Sequence, residues 1–153
     1  DWPAVYYNLK KARKRWMRVS RVLTREGADS RVCGMFYKAV VQSVLLYGCE
    51  TWVITSQVLD VLRGFHNRVA RRLSGKRPYL LPAENEWVYP PIEEALEEAG
   101  LFTIEHYISV RQNTLAANIA TRPILELCRE SERLSGSINR ILWWTQKELG
   151  GME

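Results

Sequence analysis

Aspartate is almost missing from this chain. Only Asp1, Asp29 and Asp60 occur among 153 residues, and no two are adjacent. A two-metal centre built on an adjacent aspartate pair is therefore excluded. The three cysteines, Cys33, Cys49 and Cys128, are odd in number and form no CxxC pair. That excludes the usual zinc patterns and fits reduced thiols in an intracellular protein. Histidine is just as scarce. His66 falls within a predicted apolar stripe and reads as a packed or edge side chain. His106 has no Cys or Asp partner at useful spacing. No nucleophile-elbow motif exists, no stretch reads as a signal peptide, and no apolar run reaches the roughly 18 residues of a membrane span. Glu93, Glu94, Glu97 and Glu98 lack the loop carbonyls of a hard-cation cage and read as a solvated acidic helix face. The expectation is a protein that is not an enzyme and needs neither metal nor cofactor.

Acids are missing where bases are dense. Between Lys10 and Arg25 stand eight cations, Lys10, Lys11, Arg13, Lys14, Arg15, Arg18, Arg21 and Arg25, with no acidic residue among them. The same stretch carries Val5, Leu9, Ala12, Trp16, Val19 and Leu23 at alternating spacings of four and three, which places them on one side of a helix. Lys10, Lys14, Arg18, Arg21 and Arg25 fall opposite that stripe, with Lys11 at the edge. Residues 1–77 hold 16 Lys and Arg against 5 Asp and Glu, a net of +11, whereas residues 78–153 hold 6 against 12, a net of −6. Cations without interleaved acids repel one another and gain nothing from i,i+4 pairing, so a polyphosphate partner is the reading they favour.

A hydrophobic content of 46 % with six Trp argues for a folded chain long enough to bury a core. The pattern predicts an all-α fold: a helical bundle with a three-helix core, then a Pro-rich loop and further helices. The first helix spans about Pro3 to Thr24 and ends at Gly27. The second, about 31–47, is capped by Asp29 or Ser30. Its apolar positions Val32, Met35, Phe36, Ala39, Val40, Ser43, Val44 and Leu46 cover more than one face, so it should be the most buried helix. The third, about 57–73, is capped by Thr55 or Ser56, with Leu59, Leu62, Phe65, Val69 and Leu73 inward. Its outward side adds Arg68, Arg71 and Arg72, with Lys76 and Arg77 following. Residues 74–91 read as a loop around Pro78, Pro82, Pro90 and Pro91. A short acidic helix follows at 91–99, with Pro91 in its first turn. A longer helix capped by Thr103 runs to about Thr121, with Ile104, Ile108, Leu115 and Ile119 inward. Further helical segments run from Pro123 to about Leu134 and from Ser137 through Trp143 and Trp144. The only strand-like stretch is a weak one at Thr51–Thr55. The organisation expected is a basic bundle at 1–77, a Pro-rich loop at 78–91 and an acidic helical segment at 92–153, either separate or packed on the first part as one domain.

Several strings carry a resemblance. Asp1-Trp2-Pro3-Ala4-Val5, the run Asn8 to Trp16 (NLKKARKRW) and the run Phe36 to Trp52 (FYKAVVQSVLLYGCETW) resemble the region just after the polymerase palm in non-LTR (LINE-type) retrotransposon reverse transcriptases. The most specific part is the LLYG-x-E-x-W element followed by a helix ending in RVARRLSGK, Arg68 to Lys76. The later YPPIEEALEEAGL and RQNTLAANIATRPI are similar to downstream segments of such polyproteins, so the resemblance covers roughly residues 1–128. It implies a thumb subdomain, a small helical bundle that follows the palm and grips template–primer duplex. The family's paired catalytic aspartates belong to the palm, and none is present here. A start at Asp1 rather than Met also fits a piece of something longer.

The resemblance and the charge together predict an RNA–DNA or DNA duplex partner. Lys10, Lys11, Lys14, Arg18, Arg21, Arg25, Arg68, Arg71, Arg72, Lys76 and Arg77 would meet its phosphates, largely without regard to sequence. A polymerase palm or a second copy of the chain is a further expected partner. The alternative is a helical interaction or dimerisation module, in which the basic helix pairs with the acidic 84–98 segment within the chain or between copies. An amphipathic helix on anionic lipid fits less well, because its apolar stripe is needed to hold the bundle. The run Lys10 to Arg15 also resembles a basic nuclear-import signal, and residence in the nucleus would suit such a protein.

Overall fold

The computed structural model describes residues 1–121. Cys128, the segment from Pro123 to Leu134 and the last segment with Trp143 and Trp144 lie outside them. The described residues are all-α apart from one small hairpin. Its elements are α1 (Trp2–Glu26), α2 (Ser30–Phe36), a π-helical turn (Tyr37–Gln42), α3 (Ser43–Leu45), a 3₁₀ turn (Cys49–Thr51), α4 (Ser56–Ser74), β1 (Tyr79–Leu81), β2 (Glu86–Val88), α5 (Ile92–Glu98) and α6 (Ile104–Thr121). Two compact units are distinguished, one of residues 1–47 with 54–107 and the other built from 48–53 and the chain from 108 onward.

In the first unit α1 follows its pattern closely. Val5, Leu9, Ala12 and Leu23 are buried, while Trp16 and Val19 are half-buried. Gly27 ends the helix in the left-handed region, φ 62°, donating its N–H to the Leu23 carbonyl. Asp29 is the cap of α2 and accepts from the Arg31 N–H at 3.1 Å. Ser30 instead donates its hydroxyl to the Leu73 carbonyl at the end of α4, 3.0 Å away.

The second helical stretch departs from expectation. Its buried residues are Cys33, Gly34, Tyr37, Val41, Gln42, Leu45 and Leu46, while Val32, Met35, Phe36 and Ala39 are exposed. It does bury the largest share of its residues of any described helix, but for the most part not the ones that hydropathy marks. The inward residues Cys33, Tyr37, Val41 and Leu45 recur every four positions, a spacing that drifts about 40° per step on a regular α-helix. Widening the turn from Tyr37 to Gln42 into a π-helix reverses that drift and keeps the four in line. Gly34 lets this helix meet the end of α5, since a Cβ there would overlap the Ala99 carbonyl oxygen.

Thr55 caps α4, its hydroxyl accepting from the Val58 N–H at 3.3 Å. Leu62, Phe65 and Val69 are buried, and Leu59 and Leu73 half-buried. The expected loop at 74–91 holds an antiparallel hairpin, pairing Tyr79 with Val88, Leu80 with Trp87 and Leu81 with Glu86. Strands of three residues are too short for alternation to register in a sequence. Arg71 fixes this hairpin by donating to the Pro90 carbonyl at 2.6 Å. Pro91 is the N-cap of α5 rather than part of its first turn. The α5 helix buries Ala95 and Leu96 in a close packing against α4.

The stretch Thr51–Thr55 forms no strand; the 3₁₀ turn ends at Thr51 and the chain runs on without regular structure to α4. In the second unit Gln112 donates its side-chain amide to the Cys49 and Trp52 carbonyls at 3.1 and 3.0 Å. Arg111 pairs with Glu50 at 3.4 Å. Cys49 is fully buried, and burial with the Glu50 charge pushes its thiol up to about 12. Thr103 accepts from the His106 N–H at the start of α6, and Ile104 and Ile108 are buried there. Leu115 and Ile119 are only half-buried.

Candidate nucleic-acid interface

All eight cations of α1 are exposed. Among the described residues only Arg25 has an acid within ion-pair reach, Glu26 at 4.0 Å with both side chains in solvent. The other seven have no carboxylate partner among the described residues, which leave their field without a local offset.

Part of this face forms one wall of a groove of about 610 Å³. Lys11, Lys14, Arg15 and Arg18 of α1 line it with Tyr7, and Ser43, Val44 and Tyr47 come from across the seam. Its frame is fixed by hydrogen bonds. Asn8, buried at 7 % exposure, donates its side-chain amide to the Tyr47 carbonyl at 2.8 Å and the Leu45 carbonyl at 3.5 Å. It thereby satisfies carbonyls that the end of α3 leaves open. Arg15 reaches the Val40 carbonyl at 3.4 Å, and Ser43 returns its hydroxyl to the Ala39 carbonyl at 2.6 Å. The Lys11 ammonium lies 4.3 Å from the centre of the Tyr7 ring. A hydrogen bond and the charge of Lys11 lower the Tyr7 hydroxyl below its ordinary range.

The sequence-derived set divides in space. Lys11, Lys14 and Arg18 meet in the groove, whereas Lys10, Arg21 and Arg25 continue along the exposed ridge of α1. Arg72 lines a different, smaller cleft of about 220 Å³ with Trp16, Ser20 and Leu23, against the core-facing side of α1. Arg68 is exposed and folds its Nε back to the Gly64 carbonyl at 3.0 Å. Arg71 is committed to the Pro90 and Lys76 carbonyls, at 2.6 and 3.3 Å. Lys76 stands 3.9 Å from Glu94, and Arg77 is exposed. Arg63, beside them on α4, bridges Asp60 at 3.0 Å and Glu105 at 2.6 Å.

Sequence reasoning left Arg15, Tyr7 and Tyr47 out of the site. Arg15 lies a step off the face opposite the stripe, so a periodic reading dismisses it. Tyr47 is 76 % exposed at the groove's edge, and only its place in the LLYG string set it apart.

No other site competes within the described residues. No group of three or more His, Cys, Asp or Glu is placed to hold a metal ion. His66 is fully buried and hydrogen-bonded on both ring nitrogens, as a packed histidine should be. Burial raises the Cys33 thiol, with the Asp29 charge adding to it. No described helix is long and apolar enough to cross a membrane. Among the described residues the one ion pair of acidic α5 goes to Lys76 and not to α1, so the 84–98 segment does not pair with the basic helix within the chain. Searches of protein-family models, curated proteins and solved structures return no match to this chain.

Proposed function

We propose that this chain is a non-catalytic nucleic-acid-binding module, a thumb-like piece of LINE-type reverse-transcriptase ancestry that holds duplex by its phosphates inside the cell. One observation carries the reading: a 25-residue helix presents eight cations to solvent, seven without an acidic partner among the described residues. The residue strings shared with the region after the palm supply the ancestry, and a polymerase palm is the natural neighbour. Phosphate contacts by Lys and Arg carry no base information, so binding is largely indifferent to sequence.

The test is titration of the full chain with labelled RNA–DNA and DNA duplexes across a salt series. Neutralising five to seven phosphates gives a log–log slope of about −5. The double variant Lys14→Glu/Arg18→Glu weakens binding while keeping its helical circular dichroism. A slope near zero, or unchanged binding by that variant, sinks the reading.

A second reading rests on α5. Glu93, Glu97 and Glu98 are exposed and form no ion pair among the described residues, so a second copy's basic helix would find charge there. Mass measurement with and without oligonucleotide separates the two. A tight dimer that ignores duplex favours self-association.

A further inference from the structure

We propose that the groove between α1 and the segment from Ser43 to Tyr47 is a subsite for an unpaired nucleotide strand, its phosphate among Lys11, Lys14, Arg15 and Arg18 and a base stacked on Tyr47. The inference rests on the nucleic-acid reading above and adds what that reading leaves open, namely which part of the nucleic acid enters the groove.

Size argues first. Packed helices lie about 8–10 Å apart axis to axis, so a seam between them has no room for a duplex. A space of about 610 Å³ falls within the roughly 300–1,000 Å³ of small-ligand sites and suits a nucleotide or two. Duplex therefore belongs on the exposed face of α1, on Lys10, Arg21 and Arg25 with Lys14 and Arg18 shared between it and the groove, and the groove itself takes what is not paired.

Chemistry argues the same way. Four cations line one wall without a carboxylate among the lining residues, so an anion is the ligand that they favour. Single-strand sites combine such a cationic track with aromatic rings on which bases stack. Tyr47 is the most exposed of the large apolar and aromatic side chains, at 76 %, and makes no ring contact of its own among the described residues. Tyr7 already lies under Lys11, which leaves Tyr47 as the free platform. Its backbone is held by Asn8, so the ring projects from a fixed point.

The experiment compares the full chain binding a blunt duplex with the same duplex carrying a five-nucleotide single-stranded overhang, at one salt concentration. Stacking of a base makes the overhang substrate bind about tenfold tighter. Tyr47→Ala binds blunt duplex as the parent does and loses the overhang gain, whereas Tyr47→Phe keeps it. Because Tyr47 is exposed, both variants should melt at the parent temperature. Equal binding of the two substrates, or a gain that survives Tyr47→Ala, overturns the subsite and leaves the duplex reading standing. Binding to neither substrate overturns both.

Discussion

The Tyr37 hydroxyl lies 2.9 Å from His66 Nδ1, and the far ring nitrogen of the same histidine, Nε2, lies 2.8 Å from the Phe102 carbonyl. A carbonyl only accepts, so Nε2 carries the ring proton and Nδ1 accepts from Tyr37. The histidine is thus held as a neutral donor and acceptor in the core of the first unit. Trp16 packs edge-on against Tyr37 at 6.1 Å, and Tyr107 against His66 at 6.0 Å. Three helices and the turn before α6 are joined through one ring.

That arrangement makes stability depend on pH. Burial holds His66 below its ordinary 6.5, more strongly than the Phe102 hydrogen bond and the Glu105 charge raise it. The unfolded chain therefore takes up a proton before the folded one does, and stability is lost as pH falls below about 6.5. Urea midpoints measured from pH 7.5 to 5 should decline for the parent. They should decline less for His66→Gln. Parallel curves for the two would show that another group sets the acid limit.

Two glycines should respond in opposite directions. A methyl at Gly34 meets the Ala99 carbonyl oxygen, so Gly34→Ala should cost about 1–3 kcal/mol in thermal or urea unfolding. Gly64 lies inside α4 with nothing within 4 Å of a Cβ. Gly64→Ala should stabilise by about 0.5–1 kcal/mol through backbone entropy. Equal effects at the two positions would contradict the close approach of α2 to the end of α5.

Arg71 and Lys14 separate structural from electrostatic cations. Lys14 is exposed and lacks an acidic partner among the described residues, so Lys14→Ala should reduce the salt slope of duplex binding by about 1 and leave the melting temperature alone. Arg71 holds the Pro90 carbonyl, so Arg71→Ala should lower the melting temperature with little change in slope. The reverse outcome would place Arg71 on the phosphates.

Gln42 is buried at 5 % exposure, and its Nε2 lacks a hydrogen-bond partner among the described residues. An unsatisfied buried amide costs desolvation that a hydrocarbon of similar size does not. Gln42→Leu should raise stability by about 1 kcal/mol. A loss of that size would mean that the amide is satisfied in solution.

Helix α1 was legible from sequence because one face is apolar and the other cationic, and both are long enough to fix a period. The same holds for the inward side of α4 and for the caps at Asp29, Thr55 and Thr103. In the second helix the apolar positions cover more than one face, so hydropathy alone does not mark which residues turn inward. Met35 and Phe36 are exposed there, while Gly34 and Gln42 are buried for reasons of close approach and of a widened turn. The basic residues of the site were named from charge, but charge does not reveal commitment. Arg71 is tied to carbonyls 5 and 19 residues away in sequence, and Arg15 enters the groove through a seam that no helical wheel displays.

The π-turn from Tyr37 to Gln42 also acts as a phase setting. It contains one residue more than the α-helical turn it replaces, and one residue is worth about 100° of rotation. Upstream of it Gly34 is keyed to the Ala99 carbonyl; downstream of it Tyr47 stands at the edge of the groove. Deleting a single residue there would let the turn close to an ordinary α-helical one, with the inward residues then 4, 3 and 4 apart, so Gly34 and Tyr47 would keep their relative facing. Forcing the present sequence into an unbroken α-helix would instead turn one half against the other. The aromatic edge of the groove is thus timed by the core beneath it.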